Sequence, residues 1–375
     1  MAVSTHIISV ACLPLRLPFD HGGPAPRFAG RVRTTLDSCL VRVEIANGTV
    51  GWGEAYGAEL DAMRALFTGR IQPLAVGQDA QDRSLTDTLE RTLHNMGRSG
   101  PVLHALSGLD IALWDIRGKL EGVPLYQLLG GARRTRIPAY ASLLQYYGDV
   151  DLVGRNVERS LQAGYTQVKL HERTTGAVAR ARQVMGAGAV LMVDTNCAWT
   201  ADQATAAVQE MVPFDPFWIE EPIWPPEDTA ALVALRSATG VPTAVGENAG
   251  SRHELRQLVA SASVDYLQPS AIKAGGVTAL WELSQRCADS TVRFAPQSAF
   301  FGPGFLATLH LLAAHDRPAV VERLFCDLGF SPYGASVPLH DGAFQLTDLP
   351  GLGADPADED RLQAFASQHS QGDIP

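Results

Sequence analysis

Lys169 with His171, Asp194, Glu220, Glu247, Lys273, Gln297 and Glu322 follow one another along the chain at intervals of 24 to 27 residues. Three successive members are carboxylates, and bases stand on either side of them. Three carboxylates brought to one place repel one another strongly unless a cation lies between them. All-oxygen donors suit Mg²⁺, with Mn²⁺ as a possible substitute. The bland alternative is three unconnected acids at helix N-termini, where the helix dipole favours them. Lys169 and His171 are two residues apart, so on a strand they share a face. A lysine beside a divalent cation and a second base has a depressed pKa and can serve as a base near neutral pH. His171 already titrates in that range. Lys273 precedes Gly275–Gly276 and could face the Lys169/His171 pair; otherwise it is a lysine of a Gly-rich turn. Glu322 could hydrogen-bond a substrate oxygen as an acid, or simply pair with Arg323.

The elements that must position these residues follow from the same spacing. Each member ends or closely follows a short apolar run, as in QVKLH, LMVDTN, FWIEEP, TAVGEN, VRFAPQ and VVERLF. A strand, a turn, a helix and a second turn occupy about this length in a (β/α)8 barrel, and residues so placed project from the C-terminal strand ends into one mouth. IPAYASLL reads as the first barrel strand, and candidate helices fall at 151–163, 174–187, 201–212, 227–239, 252–261, 277–288 and 303–314. The second and sixth strands then lie across the axis, which sets His171 opposite Lys273.

Before the barrel, 4–19 and 32–57 read as strands, and Asn47–Gly48 suggests a hairpin turn. Residues 60–100 have helical spacing broken near Gly97–Pro101, and His104–Leu120 is a helix apolar round most of its circumference, ended by Gly122 and Pro124. A Gly/Pro loop at 20–33 carries His21, Arg27, Arg31 and Arg33, candidates for the far end of a substrate or else a solvated loop. We expect an N-terminal α+β domain over 1–130, a barrel over 131–326, and a tail, 327–375, packing back on the N-terminal domain.

Composition narrows the partners. A hydrophobic content of 46% with 19% charged residues suits a well-buried globular protein. A net charge of −10 argues against nucleic acid or an anionic membrane, though a bound cation can still present a positive field to a small anion. No apolar run approaches a membrane span and no signal peptide is recognised. The five cysteines are odd in number and lack a CxxC spacing, so reduced thiols in a cytoplasmic protein are expected.

These motifs together resemble one family. HALSGLDIALWDIRGKLEGVPLYQLLGG (104–131), VKLH (168–171), VDTN (193–196), WIEEP (218–222), GEN (246–248), IKAGG (272–276), PQSAFFGPG (296–304) and VERL (321–324) are similar to the enolase superfamily, mandelate racemase/muconate lactonizing enzyme group. The resemblance spans nearly the whole chain. It implies an α/β fold, a (β/α)8-type (TIM-like) barrel under an α+β capping domain, and homo-oligomers. It implies Mg²⁺ held by Asp194, Glu220 and Glu247, and removal of the proton α to a small carboxylate to give an enediolate. Lys169 matches the first lysine of the K-x-K strand, Ser142 and Asn196 match polar residues near the substrate carboxylate, and Glu322 matches a glutamate that donates to the enediolate. The second lysine is replaced by His171. The racemase dyad is absent, with Ser270 at its aspartate position and Gln297 at its histidine position; Gln297 is a substrate-binding candidate, as are His21 and Arg27 of the 20–33 loop. Lys273 matches the base of the muconate lactonizing branch. The resulting expectation is dehydration of a hydroxy or sugar acid. The alternatives are racemisation or epimerisation, cycloisomerisation, or a catalytically silent binding barrel.

Overall fold

The computed structural model describes residues 4–57, 59–333 and 338–356, together with Leu362 and Phe365. Three strands, Ile7–Asp20 (β1), Thr35–Ile45 (β2) and Val50–Tyr56 (β3), form an antiparallel meander. Its second turn is the Asn47–Gly48 hairpin: Asn47 accepts from the Thr49 N–H at 2.9 Å, and Gly48 takes the left-handed φ of 87°. Helices Leu60–Leu66 (α1), Leu85–Thr92 (α2) and Pro101–Glu121 (α3) cover one face. The helical spacing read over 60–100 resolves into short pieces, with a wide turn at Phe67–Ile71 and a 3₁₀ turn at His94–Met96. Pro101 opens α3, and Gly122, left-handed at φ 69°, closes it.

α3 joins two cores. Leu106, Leu109, Leu113 and Ile116 pack into the N-terminal core, while Ile111 and Trp114 pack into the barrel core. β3 lies hard against α3 at Gly53, where an added Cβ would sit 1.9 Å from the Gly108 carbonyl oxygen.

Eight parallel strands follow: Arg136–Ser142 (β4), Gln167–Leu170 (β5), Val190–Asp194 (β6), Ile219–Glu220 (β7), Thr243–Val245 (β8), Tyr266–Leu267 (β9), Arg293–Phe294 (β10) and Val321–Leu324 (β11). Each pairs with the next from β4 to β10, and β11 returns to pair with β4. Between β10 and β11, the Ser298 hydroxyl donates to the Glu322 carbonyl at 2.8 Å. The helices between them are Val150–Gln162 (α4), Thr175–Met185 (α5), Ala201–Met211 (α6), Thr229–Thr239 (α7), Arg252–Ser261 (α8), Gly276–Ala288 (α9) and Pro303–Ala314 (α10). All seven stand where the sequence places them, and all but α9 have a local start signal. Asp149, Thr174, Thr200, Asp228 and Ser251 cap five of them with their side chains, and Pro303 opens α10. Tyr140, Met192, Trp218, Ala244 and Ala295 form a small separate core. Among the described residues no helix is long and apolar enough to cross a membrane, and all five cysteines are free thiols.

Two buried carboxylates from the N-terminal domain cap barrel helices. Asp110 of α3 accepts from the Thr278 N–H at 2.9 Å and from its hydroxyl at 2.6 Å, in the first turn of α9. Glu54 of β3 accepts from the Gly304 N–H at 3.0 Å, in the first turn of α10, and from Ser38 at 2.7 Å. Each places acceptor oxygens at the positive end of a helix.

The C-terminal segment divides its contacts instead of returning only to the N-terminal domain. Asp327–Leu328 pairs with the end of β1, and Asp115 of α3 accepts from the Leu352 N–H. Ala343–Gln345, however, pairs antiparallel with Arg136–Pro138 of the first barrel strand. The cause is an open hydrogen-bonding edge at the start of β4, which β11 meets only from Ala139 onward. Most of 357–375 lies outside the described residues.

Candidate active site

Parallel register brings the strand ends together. Ser142 pairs with Lys169, and Asp194 with Glu220. Lys169 is 1% exposed, and its ammonium lies 2.8 Å from Glu220 Oε1, 2.8 Å from Glu322 Oε1 and 3.4 Å from Asp194 Oδ2. It also stands 5.7 Å from the centre of the Tyr140 ring. His171, one residue past the end of β5, sets Nε2 3.1 Å from Asp194 Oδ2 and Nδ1 against the Leu143 carbonyl. That contact to a carbonyl places a proton on Nδ1. Glu220 is steadied from the barrel side by Gln268 Nε2 at 2.7 Å and Trp218 Nε1 at 3.2 Å.

Charge is not balanced in this cluster. Burial works against the ammonium of Lys169, but Glu220, Glu322 and Asp194 outweigh it and raise its pKa well above the ordinary value. The depressed lysine expected from the sequence presupposes a cation sharing these carboxylates; surrounded by the carboxylates themselves, the lysine holds its proton. Burial also disfavours the charge on His171, yet Asp194 raises its pKa, while the same pairing lowers Asp194 against the effect of burial. Glu220 gives way: burial and the neighbouring Asp194 push it well above the usual carboxylate range. Burial and Lys273 act oppositely on Glu247, and its pKa rises.

The three acids expected to converge on one point are not arranged as a ready cage. Asp194 and Glu220 turn toward Lys169, and Glu247 Oε1 accepts from Asn248 Nδ2 at 3.3 Å. Among the described residues no three carboxylate, imidazole or thiol groups stand at metal-binding spacing. The reason is that the ammonium takes the charge a cation would take. The donor set nevertheless fits Mg²⁺. Asp194, Glu220, Glu247 and Glu322 outnumber Lys169 and His171, all donors are oxygen, and the buried Asp194 Oδ2 lacks a well-directed hydrogen bond.

Lys273 follows β9 and reaches the mouth beside Glu247. Its Nζ donates to Asn248 Oδ1 at 3.1 Å and lies 5.1 Å from the centre of the Tyr56 ring. Tyr56 is delivered by the end of β3, where its N–H donates to the Ile272 carbonyl at 3.2 Å. Neither Tyr56 nor Asn248 carries a periodic signal, and sequence reasoning passed over both. Asn196 holds a left-handed φ of 45° and donates its N–H to Asp194 Oδ1, while the half-buried Gln297 bridges Ser270 through its backbone. Ser142 is buried beside Lys169.

The 20–33 loop lies over the mouth. The Tyr146 hydroxyl donates to the His21 carbonyl at 2.9 Å, and the Arg27 N–H donates to the Tyr147 hydroxyl at 2.7 Å. Both tyrosines follow β4 at its C-terminal end. His21 is only 2% exposed, with its ring stacked on Tyr146 at 5.2 Å. Its carbonyl and ring pin the loop to Tyr146. Arg27 is exposed on a short ribbon pairing Arg27–Phe28 with Arg31–Val32. Neither residue is brought to the Lys169 cluster.

Comparison with known proteins places this geometry. A family profile described as "Enolase C-terminal domain-like" matches residues 152–361. A second, "Mandelate racemase / muconate lactonizing enzyme, N-terminal domain", matches residues 26–130. A D-galactarolactone cycloisomerase of Agrobacterium fabrum is 30% identical, over 97% of this chain and 98% of the relative. A D-galactonate dehydratase of Pectobacterium atrosepticum is 27% identical, over 84% and 88%. The crystal structure of the 3,6-anhydro-D-galactonate cycloisomerase from Zobellia galactanivorans superposes with a TM-score of 0.83 at 26% identity, covering 96% of this chain and 99% of that one. A racemase from Streptomyces coelicolor with bound magnesium shares the fold, with a TM-score of 0.86 at 24% identity over 96% and 99%.

Proposed function

The chain belongs to the enolase superfamily, mandelate racemase/muconate lactonizing enzyme group, and from that premise we propose that it removes the proton α to the carboxylate of a sugar acid and dehydrates the product of that step. The observation that carries this reading is the cluster of Asp194, Glu220 and Glu322 around Lys169, with Lys273 in the turn that follows β9, four strands along from β5. Asp194, Glu220 and Glu247 are the residues to hold Mg²⁺. Bound there, the ion would supply the positive charge that a substrate carboxylate needs as its α-carbon becomes negative.

The remaining roles belong to the chain. Lys169 sits nearest the carboxylate position and offsets the second developing charge. Glu322, held by the Ser298 N–H at 3.0 Å, faces the same oxygens. His171 and Lys273 flank the α-carbon from opposite sides. One takes the α-proton and the other delivers a proton to the departing β-hydroxyl, which leaves as water. The enol that remains becomes a 2-keto-3-deoxy acid. Ser142, Asn196 and Gln297 border the carboxylate end, and the 20–33 loop with Arg27 shuts the mouth over the substrate.

The full-length similarity to a cycloisomerase favours a second outcome of the same first step, in which an internal oxygen leaves and no water is lost. The test is proton NMR in D2O with Mg²⁺, using D-galactonate and D-galactarolactone as first substrates in a wider sugar-acid panel. Loss of water supports dehydration. An isomer of unchanged mass supports cycloisomerisation, and deuterium incorporation with inversion indicates racemisation or epimerisation. Absence of both turnover and α-deuterium across the panel overturns the α-proton reading.

A further inference from the structure

Lys273 is fixed at its backbone but not, by that, at its side chain. The Gly275 N–H donates to Ser107 of α3 at 2.8 Å, and the Ile272 carbonyl accepts from Tyr56. These bonds hold the turn on either side of Lys273. The side chain then has four rotatable bonds, and its only hydrogen bond among the described residues is the one to Asn248 Oδ1. No carboxylate pairs with it at ion-pair distance among the described residues.

We propose that Asn248, clamped by Glu221, is the positioning strut that aims Lys273 into the mouth. An amide has two ends of similar shape, and only its neighbours decide which end faces where. Asn248 Nδ2 lies 2.6 Å from Glu221 Oε2 and 3.3 Å from Glu247 Oε1. The ammonium of Lys273 can only donate, so it is the carbonyl end that must face Lys273 and the NH₂ end that faces the two carboxyl groups. Glu221 also accepts from the Asn248 N–H at 3.2 Å and from the Cys197 thiol at 3.4 Å. It therefore grips backbone and side chain of Asn248 at once.

Glu221 is itself held in an unusual conformation. Its φ is +40°, in the left-handed region a non-glycine residue avoids. Its N–H donates to the Ala244 carbonyl at 3.0 Å, and its carbonyl accepts from the Cys197 N–H. Such strain persists only where surrounding contacts over-determine it. It turns the side chain away from the Glu220 direction and toward Asn248. Adjacent acids in WIEEP thus divide the work: Glu220 faces Lys169, and Glu221 faces the strut of Lys273.

The reach of this inference rests on Lys273 being half of the acid/base pair, but its test does not. The chain holds three lysines, Lys119, Lys169 and Lys273, so ¹³C,¹⁵N-lysine labelling of the full Mg²⁺-loaded protein gives three side-chain signals. The Lys273 signal is assigned with Lys273→Arg. In Asn248→Ala that signal should move and broaden while Lys119 and Lys169 stay in place. Glu221→Ala should move it in the same way, although residue 221 does not touch Lys273, because the grip on backbone and side chain of Asn248 is then lost. With a turned-over sugar acid, α-deuterium exchange in both variants should fall about 10²-fold in rate, with KM little changed. A Lys273 signal unmoved in both variants overturns the proposal, as does equal movement of all three lysines, which signals general loosening. If the parent exchanges no substrate proton, the function above fails, and the Lys273 signal still decides the strut.

Discussion

Glu54→Gln isolates a contest between burial and hydrogen bonding at the seam of the two domains. Glu54 is 1% exposed, and three donors face it: Ser38, Gly304 and Gly302. Hydrogen bonds to a charged group contribute about 1.5–3 kcal/mol each, and alone they would hold the carboxyl below its ordinary value. Burial outweighs them and raises its pKa from 4.5 to about 7. At about 1.36 kcal/mol per pH unit, the rise is equivalent to about 3 kcal/mol. The sign follows from proton uptake. Below pH 4.5 the group is protonated in folded and unfolded chains alike and contributes no pH dependence. Between 4.5 and about 7 the folded chain binds more proton, so stability falls as pH rises. Above 7 the full penalty is present. Glutamine keeps the shape and never ionises. Urea unfolding of parent and variant from pH 4 to 8 should therefore show their stability difference shifting by about 3 kcal/mol in the variant's favour across that window, then levelling. A constant offset from the lost acceptor oxygen leaves this slope intact. A flat difference, or one running the other way, would mean the donors win and the reasoning fails.

Other perturbations address the mouth and the loop. Lys169→Met in EDTA should destabilise the fold by about 3–5 kcal/mol, because it strands buried carboxylates, and Mg²⁺ should restore part of the loss in urea titrations; a loss near zero would mean the ion pairs are not formed. Asp194→Asn and Glu247→Gln should each weaken Mg²⁺ binding by at least about 10²-fold in calorimetric titration with an unchanged circular dichroism spectrum, and parent-like affinity in either removes that residue from the metal site. Tyr146→Phe loses the bond to His21 and should cost about 1 kcal/mol locally. Amide exchange in residues 20–33 should then quicken while the barrel strands stay protected, and unchanged exchange would show that the loop is held elsewhere.

What the sequence revealed depended on distance along the chain. Five of the helices α4 to α10 were legible from a capping side chain and α10 from its opening proline, signals read within four residues, whereas α9 has neither and follows the Gly275–Gly276 turn. The strand ends at or beside 194, 220 and 247 were legible because a barrel repeats its unit at regular spacing. Nothing of the kind announces Glu54, whose partner Gly304 lies 250 residues on. Tyr56 reaches Lys273, and Ser107 reaches Gly275, only through the docking of two domains. His21 looked free to touch a substrate because it sits among glycines and prolines, but an aromatic partner at 146 buries it. The Asn248 contacts with Glu221 and Lys273 depend on one left-handed residue and the choice of an amide's orientation, neither of which composition encodes.

The helix from Pro101 to Glu121 has a bearing on how this chain can be divided. Leu109 and Leu113 on one side and Ile111 and Trp114 on the other serve separate cores, and Trp114 also donates to Thr278 at 2.8 Å. A fragment ending at residue 130 would carry the barrel-facing side of that helix uncovered, with Asp110 deprived of its Thr278 donors. A fragment beginning at 131 would lack the wall on which α9 rests. Neither piece is a self-sufficient module, so transplanting the N-terminal region from a relative to change selectivity would have to bring the matching surface of α9 and α10 with it.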